Sequence, residues 1–213
     1  MFELDFAIEK AEPRVHAASP ELVLTLAVRA RDGDPVRGVL LACQVRLEVA
    51  RRAYDDAEAE RLFELFGMRA DWSRTQQSLL WAQPTVLVPE FERSATVELP
   101  LACSLDFELA TGKYLLGLGQ GVVPLVFLFS GTVFHTVDGD RLQASPIARS
   151  AECRYALPFE VYRSTVAPYF ADRAPIALER ALLHRLARYK RQRGALTIDL
   201  ALAELLDQAE VRA

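Results

Sequence analysis

Apolar and polar residues alternate along most of the first 157 positions. Phe2, Leu4, Phe6 and Ile8 are interleaved with Glu3, Asp5, Ala7 and Glu9, the period of two that marks a strand with one buried face. Leu22, Leu24, Leu26 and Val28 repeat the pattern, and Arg31-Asp-Gly-Asp-Pro35 supplies turn residues before a longer strand. In that strand Val39, Leu41, Cys43, Val45, Leu47 and Val49 face one way, and Gln44, Arg46 and Glu48 face the other. From Asp55 the period becomes helical. Asp55 or Asp56 can cap the N-terminus, Glu58 and Glu60 suit the positive end of the dipole, and Leu62, Phe63, Leu65 and Phe66 make an apolar stripe that stops at Gly67.

Strand-like stretches resume at Leu80 to Phe91, where Pro84 and Pro89 limit the segment to an edge. The cleanest alternation follows: Val97, Leu99, Leu101, Cys103, Leu105, Phe107 and Leu109 lie on one side. Pro124 to Thr136 is strongly β-prone, Asp138-Gly139 is a hairpin signal, and Arg141 to Ile147 reads as the returning strand. Cys153, Tyr155 and Leu157 alternate once more before Pro158 closes the region.

Beyond Pro158 the pattern is helical. Phe159 to Phe170 forms one helix with a bend near Pro168, Pro175 opens a second that Gly194 stops after Arg193, and Thr197 caps a third. The fold class this implies is α+β: a mainly antiparallel β-sandwich or curled sheet, one inserted helix near 55–67, and a C-terminal helical cap. A single domain of 213 residues is expected, with the helical residues 158–213 packed on the β-rich residues 1–157, because so few helical residues alone would bury little core.

Charge excludes some functions. The chain carries 25 basic and 29 acidic residues, a net charge of -4, and a pI near 5.5, so no global field draws nucleic acid or anionic lipid. Arginine supplies 22 of the basic residues, with lysine only at Lys10, Lys113 and Lys190. Cys43, Cys103 and Cys153 are odd in number and widely spaced, which fits free thiols in a reducing compartment rather than a disulfide framework. The acidic start of the chain does not read as a signal peptide, and the longest strongly apolar run, Val122 to Phe129, falls well short of the ~20 residues a membrane helix needs. A cytoplasmic protein without a membrane segment is expected.

Signals of chemistry are sparse. Gly117-Leu-Gly119-Gln-Gly121 looks like a nucleotide loop, but its spacing is GxGxG and a strand follows it, so a turn is the better reading. His16, His135 and His184 are scattered, none at ligand spacing from a cysteine, so neither metal nor cofactor is expected. His135 and Ser130 lie on one strand without the setting of a nucleophile elbow. Two stretches are candidate interaction surfaces. Trp72, Arg74 and Trp81 bracket the polar segment 73–78, where a tryptophan could anchor an interface or pack in the core. No acid occurs between Arg180 and Arg193; on a helix Arg180, His184, Arg188 and Arg191 share a stripe opposite Leu178, Leu182, Leu183 and Leu186. That stripe is either a solvated face or a docking patch for an acidic partner.

Leu65-Phe-Gly67, Trp72 with Arg74-Thr75, Lys113-Tyr114, Leu79-Leu-Trp81 and above all Pro124-Leu-Val-Phe-Leu-Phe-Ser-Gly-Thr-Val-Phe134 resemble an uncharacterised bacterial domain-of-unknown-function family. Its members are encoded mainly in actinobacteria and related soil bacteria, often near genes for uptake nickel-iron hydrogenase. The resemblance implies an accessory role in assembly, maturation or scaffolding and transfers no catalytic residue. The leading expectation is therefore a non-enzymatic accessory or adaptor protein that presents a sheet face or the C-terminal helix to a protein partner. An enzyme or small-ligand binder with a pocket between sheet and cap, and a structural subunit of a larger oligomer, are the alternatives. Homo-oligomerisation is compatible with each.

Overall fold

A computed structural model describes residues 1–31, 35–103, 109–137, 141–170 and 176–211. The chain falls into two compact units, Met1–Pro175 and Ile176–Ala213. Among the described residues the first contains nine strands in two antiparallel sheets. One has the order β1-β2-β6, from Leu4–Pro13 (β1), Glu21–Ala30 (β2) and Ser94–Ala102 (β6). The other is built on the long pair Val36–Leu47 (β3) and Val122–Val137 (β7). Leu79–Ala82 (β4) and Thr85–Val88 (β5) both pair with β3, while Arg141–Pro146 (β8) and Glu152–Pro158 (β9) both pair with β7.

The alternating positions read from the sequence are the buried ones. Leu22, Leu24, Leu26 and Val28 of β2, Val39, Leu41, Cys43, Val45 and Leu47 of β3, and Leu99 and Leu101 of β6 join one cluster. Phe6 of β1 stacks on Phe129 of β7 with ring centroids 4.0 Å apart, so the inward rows of the two sheets meet. Pro84 separates β4 from β5 on the same edge of β3, as its missing N–H requires, and its carbonyl accepts from the Cys43 N–H. Gly131 permits the β3–β7 pairing: its φ is +148°, and a Cβ there would lie 2.0 Å from the Leu40 carbonyl oxygen.

The helical content departs from the expectation in three places. The inserted helix is two short ones, Asp56–Arg61 (α1) and Phe63–Phe66 (α2), divided at Leu62. As read from the sequence, Asp55 caps α1 by accepting from the Glu58 N–H, and Gly67 ends α2 at φ +70°. A short helix Trp72–Thr75 (α3) and an eight-residue helix Ala110–Gly117 (α4) add to it. The alternating row accordingly ends its strand at Ala102, and Leu109 caps α4 instead of extending the sheet. Two glycines hid α4 from propensity reasoning; Gly117 is demanded by packing, since a Cβ would stand 2.6 Å from Leu62 Cδ2. The helix Phe159–Phe170 (α5) runs through Pro168 and packs on β1, β2 and β9.

The second unit is a hairpin of Arg180–Arg193 (α6) and Ile198–Glu210 (α7). Gly194 adopts φ +70° and acts as the C-terminal stop of α6, and Thr197 Oγ1 accepts from the Leu200 N–H. Helix α6 begins at Arg180, so Leu178 precedes it and does not belong to its apolar stripe. The Asp138-Gly139 hairpin signal, the turn residues 32–34, Leu105, Phe107 and Pro175 lie outside the described residues.

Candidate functional site

The glycine segment after α4 is occupied by the chain's own ions. Arg52, which follows the short 3-10 turn Val49–Arg51, and Glu58 of α1 have side chains only 7% and 3% exposed. Arg52 Nη2 lies 2.5 Å from Glu58 Oε1 and also donates to the Gln120 carbonyl at 2.6 Å; Nη1 donates to the Val122 carbonyl at 2.9 Å. Gly119 donates its N–H to Glu58 Oε1 at 2.8 Å, and Arg61 Nε donates to the Gly117 carbonyl at 2.8 Å. A phosphate loop points free N–H groups at an anion. Here a carboxylate already stands at the Gly119 N–H, and neighbouring carbonyls face a guanidinium. Glu58, read from the sequence as suited to the positive end of the helix dipole, is also an internal anchor.

Beside this anchor sits an aromatic group. Tyr54 donates its hydroxyl to the Val49 carbonyl at 2.6 Å, so the 2.9 Å contact with Tyr114 has Tyr114 as donor. Trp72 lies edge-on to both Tyr54 and Phe66, donates Nε1–H to the Gly67 carbonyl at 3.0 Å, and carries Arg69 over its ring at 5.5 Å. Trp81 of β4 is edge-on to Tyr162 of α5 at 6.0 Å. Both tryptophans are half-buried and packed against the core, and Arg74 is exposed, 3.4 Å from Asp71. Trp72 and Arg74 thus share α3, whereas Trp81 stands on β4 against α5.

Burial pushes the Cys43 and Cys103 thiols up to about 12 and that of Cys153 to about 11, far from nucleophilic poise. His135 is buried on β7, its Nε2 3.0 Å from Ser145 Oγ and its ring 4.9 Å from Phe2; Nδ1 has no partner among the described residues. A catalytic pair needs a third group to orient the base. Among the described residues no group of three or more His, Cys, Asp or Glu could hold a metal, and no helix is long and apolar enough to cross a membrane.

The most distinctive surface is the outward face of the larger sheet. Register aligns Leu87 of β5, Leu40 of β3, Thr132 of β7 and Pro146 of β8 in one cross-strand row. The adjoining row holds Thr85, Ala42 and Ser130, and beyond it Gln44, Leu128 and Glu152. Leu87, Leu40 and Leu128 are 71%, 51% and 37% exposed. Arg46, Arg154, Glu152 and Glu48 border this apolar centre, Arg154 pairing with Glu152 at 2.8 Å and with Glu48 at 3.3 Å. Sequence reasoning took only the inward rows from these strands. The missed signal was the unbroken apolar runs, Val39 to Cys43 and Val122 to Phe129, in which residues of both faces are apolar.

In α6, Arg180, Arg188 and Arg191 are all exposed and form no ion pair with a described residue. Arg193 is the basic residue that closes the hairpin, paired with Glu204 of α7, while Tyr189 accepts from Gln208.

No curated protein matches this chain. Among solved structures, it is similar to a β-glucosidase from Kluyveromyces marxianus at 10% identity and a TM-score of 0.28, covering 72% of this chain but 14% of that one. A β-glucosidase 3B from Thermotoga neapolitana (10% identity, TM-score 0.26, 72% of this chain and 16% of that one) and a protein from Archaeoglobus fulgidus (14%, 0.25, 70% and 97%) are comparably distant. At these scores the likenesses assign neither activity nor partner. The glycine segment is filled by Arg52 and Glu58, the Cys43 and Cys103 thiols are buried, and the sequence pattern extends over the whole chain: residues 1–213 match DUF6084, a family of unknown function, and the protein belongs to it.

Proposed function

We propose that this protein is a non-enzymatic accessory protein of the cytoplasm that offers the outward face of its larger sheet to a protein partner. One observation carries the reading: Leu87 and Leu40, exposed by 71% and 51%, stand directly opposite each other in register on the sheet, with Leu128 (37%) two rows away on the same face and paired charges at the border. Apolar surface left to water at the centre of a polar rim is the anatomy of a docking face. The scaffold behind it is two open sheets, which we read as a sandwich closed by the Phe6–Phe129 stack. An occupied glycine segment speaks against a nucleotide site there and the raised Cys43 thiol against cysteine chemistry; the alternatives are an enzyme or small-ligand binder with a pocket between sheet and cap, and a structural subunit of a larger oligomer. Assembly or maturation of a hydrogenase is the further specification, and it rests on the resemblance alone.

The test compares wild type with Leu40→Asp/Leu87→Asp in affinity purification from the native organism followed by mass spectrometry. A partner retained by wild type and lost by the folded double variant supports the reading; hydrogenase subunits in that set would support the specification. Equal retention by both proteins overturns the sheet-face assignment. Both leucines are exposed, so the variant should keep its thermal midpoint.

A further inference from the structure

The hairpin of α6 and α7 closes on itself along one side of each helix. Tyr189–Gln208 and Arg193–Glu204 mark its inner seam, with Leu186 and Ala201 as its buried positions. At roughly 100° per residue, Leu183 and Ala187 stand on one side of the Leu186 line. Ile198, Leu202 and Leu205 stand on the corresponding side of the Ala201 line. For two antiparallel helices those sides coincide, so the five residues make one apolar stripe across the same face of the hairpin. Leu183, Leu202 and Leu205 are exposed. A unit of fewer than ~40 residues does not bury enough surface to be stable alone, and association is the usual remedy.

Charge identifies what covers this stripe. Helix α6 has six arginine or lysine residues and no acid; α7 has Asp199, Glu204, Asp207 and Glu210 and no base. Within the hairpin only Arg193 and Glu204 neutralise each other, leaving Arg180, Arg185, Arg188, Lys190, Arg191 and three acids of α7 without an ion pair to a described residue. The surface is complementary to itself. We propose that the hairpin pairs with that of a second copy, forming a four-helix bundle about a two-fold axis parallel to the helices. This axis lays α6 of each copy along α7 of the other, so that every basic helix meets an acidic one. A two-fold axis perpendicular to the helices would set α6 against α6 and repel. The partner of the basic stripe is then the acidic helix of an identical chain, and the assembly carries two sheet faces.

Sedimentation of the full chain tests this. Wild type is expected to be a dimer that weakens as salt rises. Arg180→Glu/Arg191→Glu and Asp199→Arg/Glu210→Arg alter the charges flanking the stripe, and each should weaken self-association by about tenfold or more. Mixed one to one, the two variants should restore a heterodimer, because each reversed helix then faces its opposite. Leu202→Asp/Leu205→Asp should be monomeric with an unchanged β-sheet signature in circular dichroism. A wild type that stays monomeric at about 100 µM, a hundredfold above a micromolar Kd, overturns the proposal. So does a charge-reversed variant that dimerises as well as wild type, or a mixture that forms no heterodimer. None of these results bears on docking at Leu40 and Leu87.

Discussion

Replacing Glu58 by Gln preserves shape at the glycine segment while removing one charge from a buried pair. Arg52 would remain more than nine-tenths enclosed, with carbonyls at Gln120 and Val122 but no anion. Breaking a buried pair from one side costs about 3–5 kcal/mol, against 0–1 kcal/mol for an exposed one, because an uncompensated charge is left in a poorly hydrated place. For a chain of this size that corresponds to a fall in Tm of roughly 6–20 °C. In urea, with a slope near 2 kcal/mol/M, the midpoint should drop by roughly 1.5–2.5 M. Arg52→Met/Glu58→Leu gives the discriminating comparison. If the ions only offset each other, an apolar pair would recover most of the loss. The geometry says otherwise: the double variant also strips the partner from the part-buried Gly119 N–H, a loss of about 1–3 kcal/mol. It should therefore stay well below wild type. Equilibrium urea unfolding followed by tryptophan fluorescence reads both proteins, Trp72 being near the site. A loss under about 1 kcal/mol for Glu58→Gln would refute the reasoning, since it would mean water reaches the pair.

Gly131→Ala should abolish soluble folded protein or cost more than about 4 kcal/mol, because the added Cβ meets the Leu40 backbone oxygen on the neighbouring strand; recovery of a wild-type Tm in a thermal melt would contradict the close approach. Of the three thiols, the buried Cys43 and Cys103 should react with a disulfide reagent at pH 8 only on the timescale of unfolding. Their folded-state values exceed the ordinary 9.0, so the stability they contribute is complete below pH 9 and is lost as pH rises through about 11 to 12. Rapid labelling of Cys43 or Cys103 in native protein, or a melting point that rises between pH 9 and 11, would be inconsistent with their burial.

Much of the β framework is legible in the linear order of residues. Period-two alternation in β1, β2 and β3 names the buried rows because a strand turns successive side chains to opposite faces, whatever lies beyond it. Caps at Asp55 and Thr197 and the stop at Gly194 are equally local, each settled by one side chain or one left-handed residue. Helix α4 was not legible, since Gly112 and Gly117 weaken its propensity and its stability comes from burying Tyr114 and Leu115 against α1 and α2.

The sites needed tertiary structure for a different reason. Arg52 and Glu58, six residues apart, are 61 to 70 residues from their partners in the 117–122 segment, and no spacing rule links them to it; only the return of the chain through α4 brings the carboxylate to the Gly119 N–H. Leu40, Leu87 and Leu128 were each visible as apolar residues in strands, but alternation says only that neighbours face apart, not that Leu40 of β3 and Leu87 of β5 stand opposite each other. Strand register decides that, through hydrogen bonds between residues distant in the chain. The opposite charges of α6 and α7, in contrast, are plain in the sequence, while the hairpin alone shows that most of them find no partner inside it.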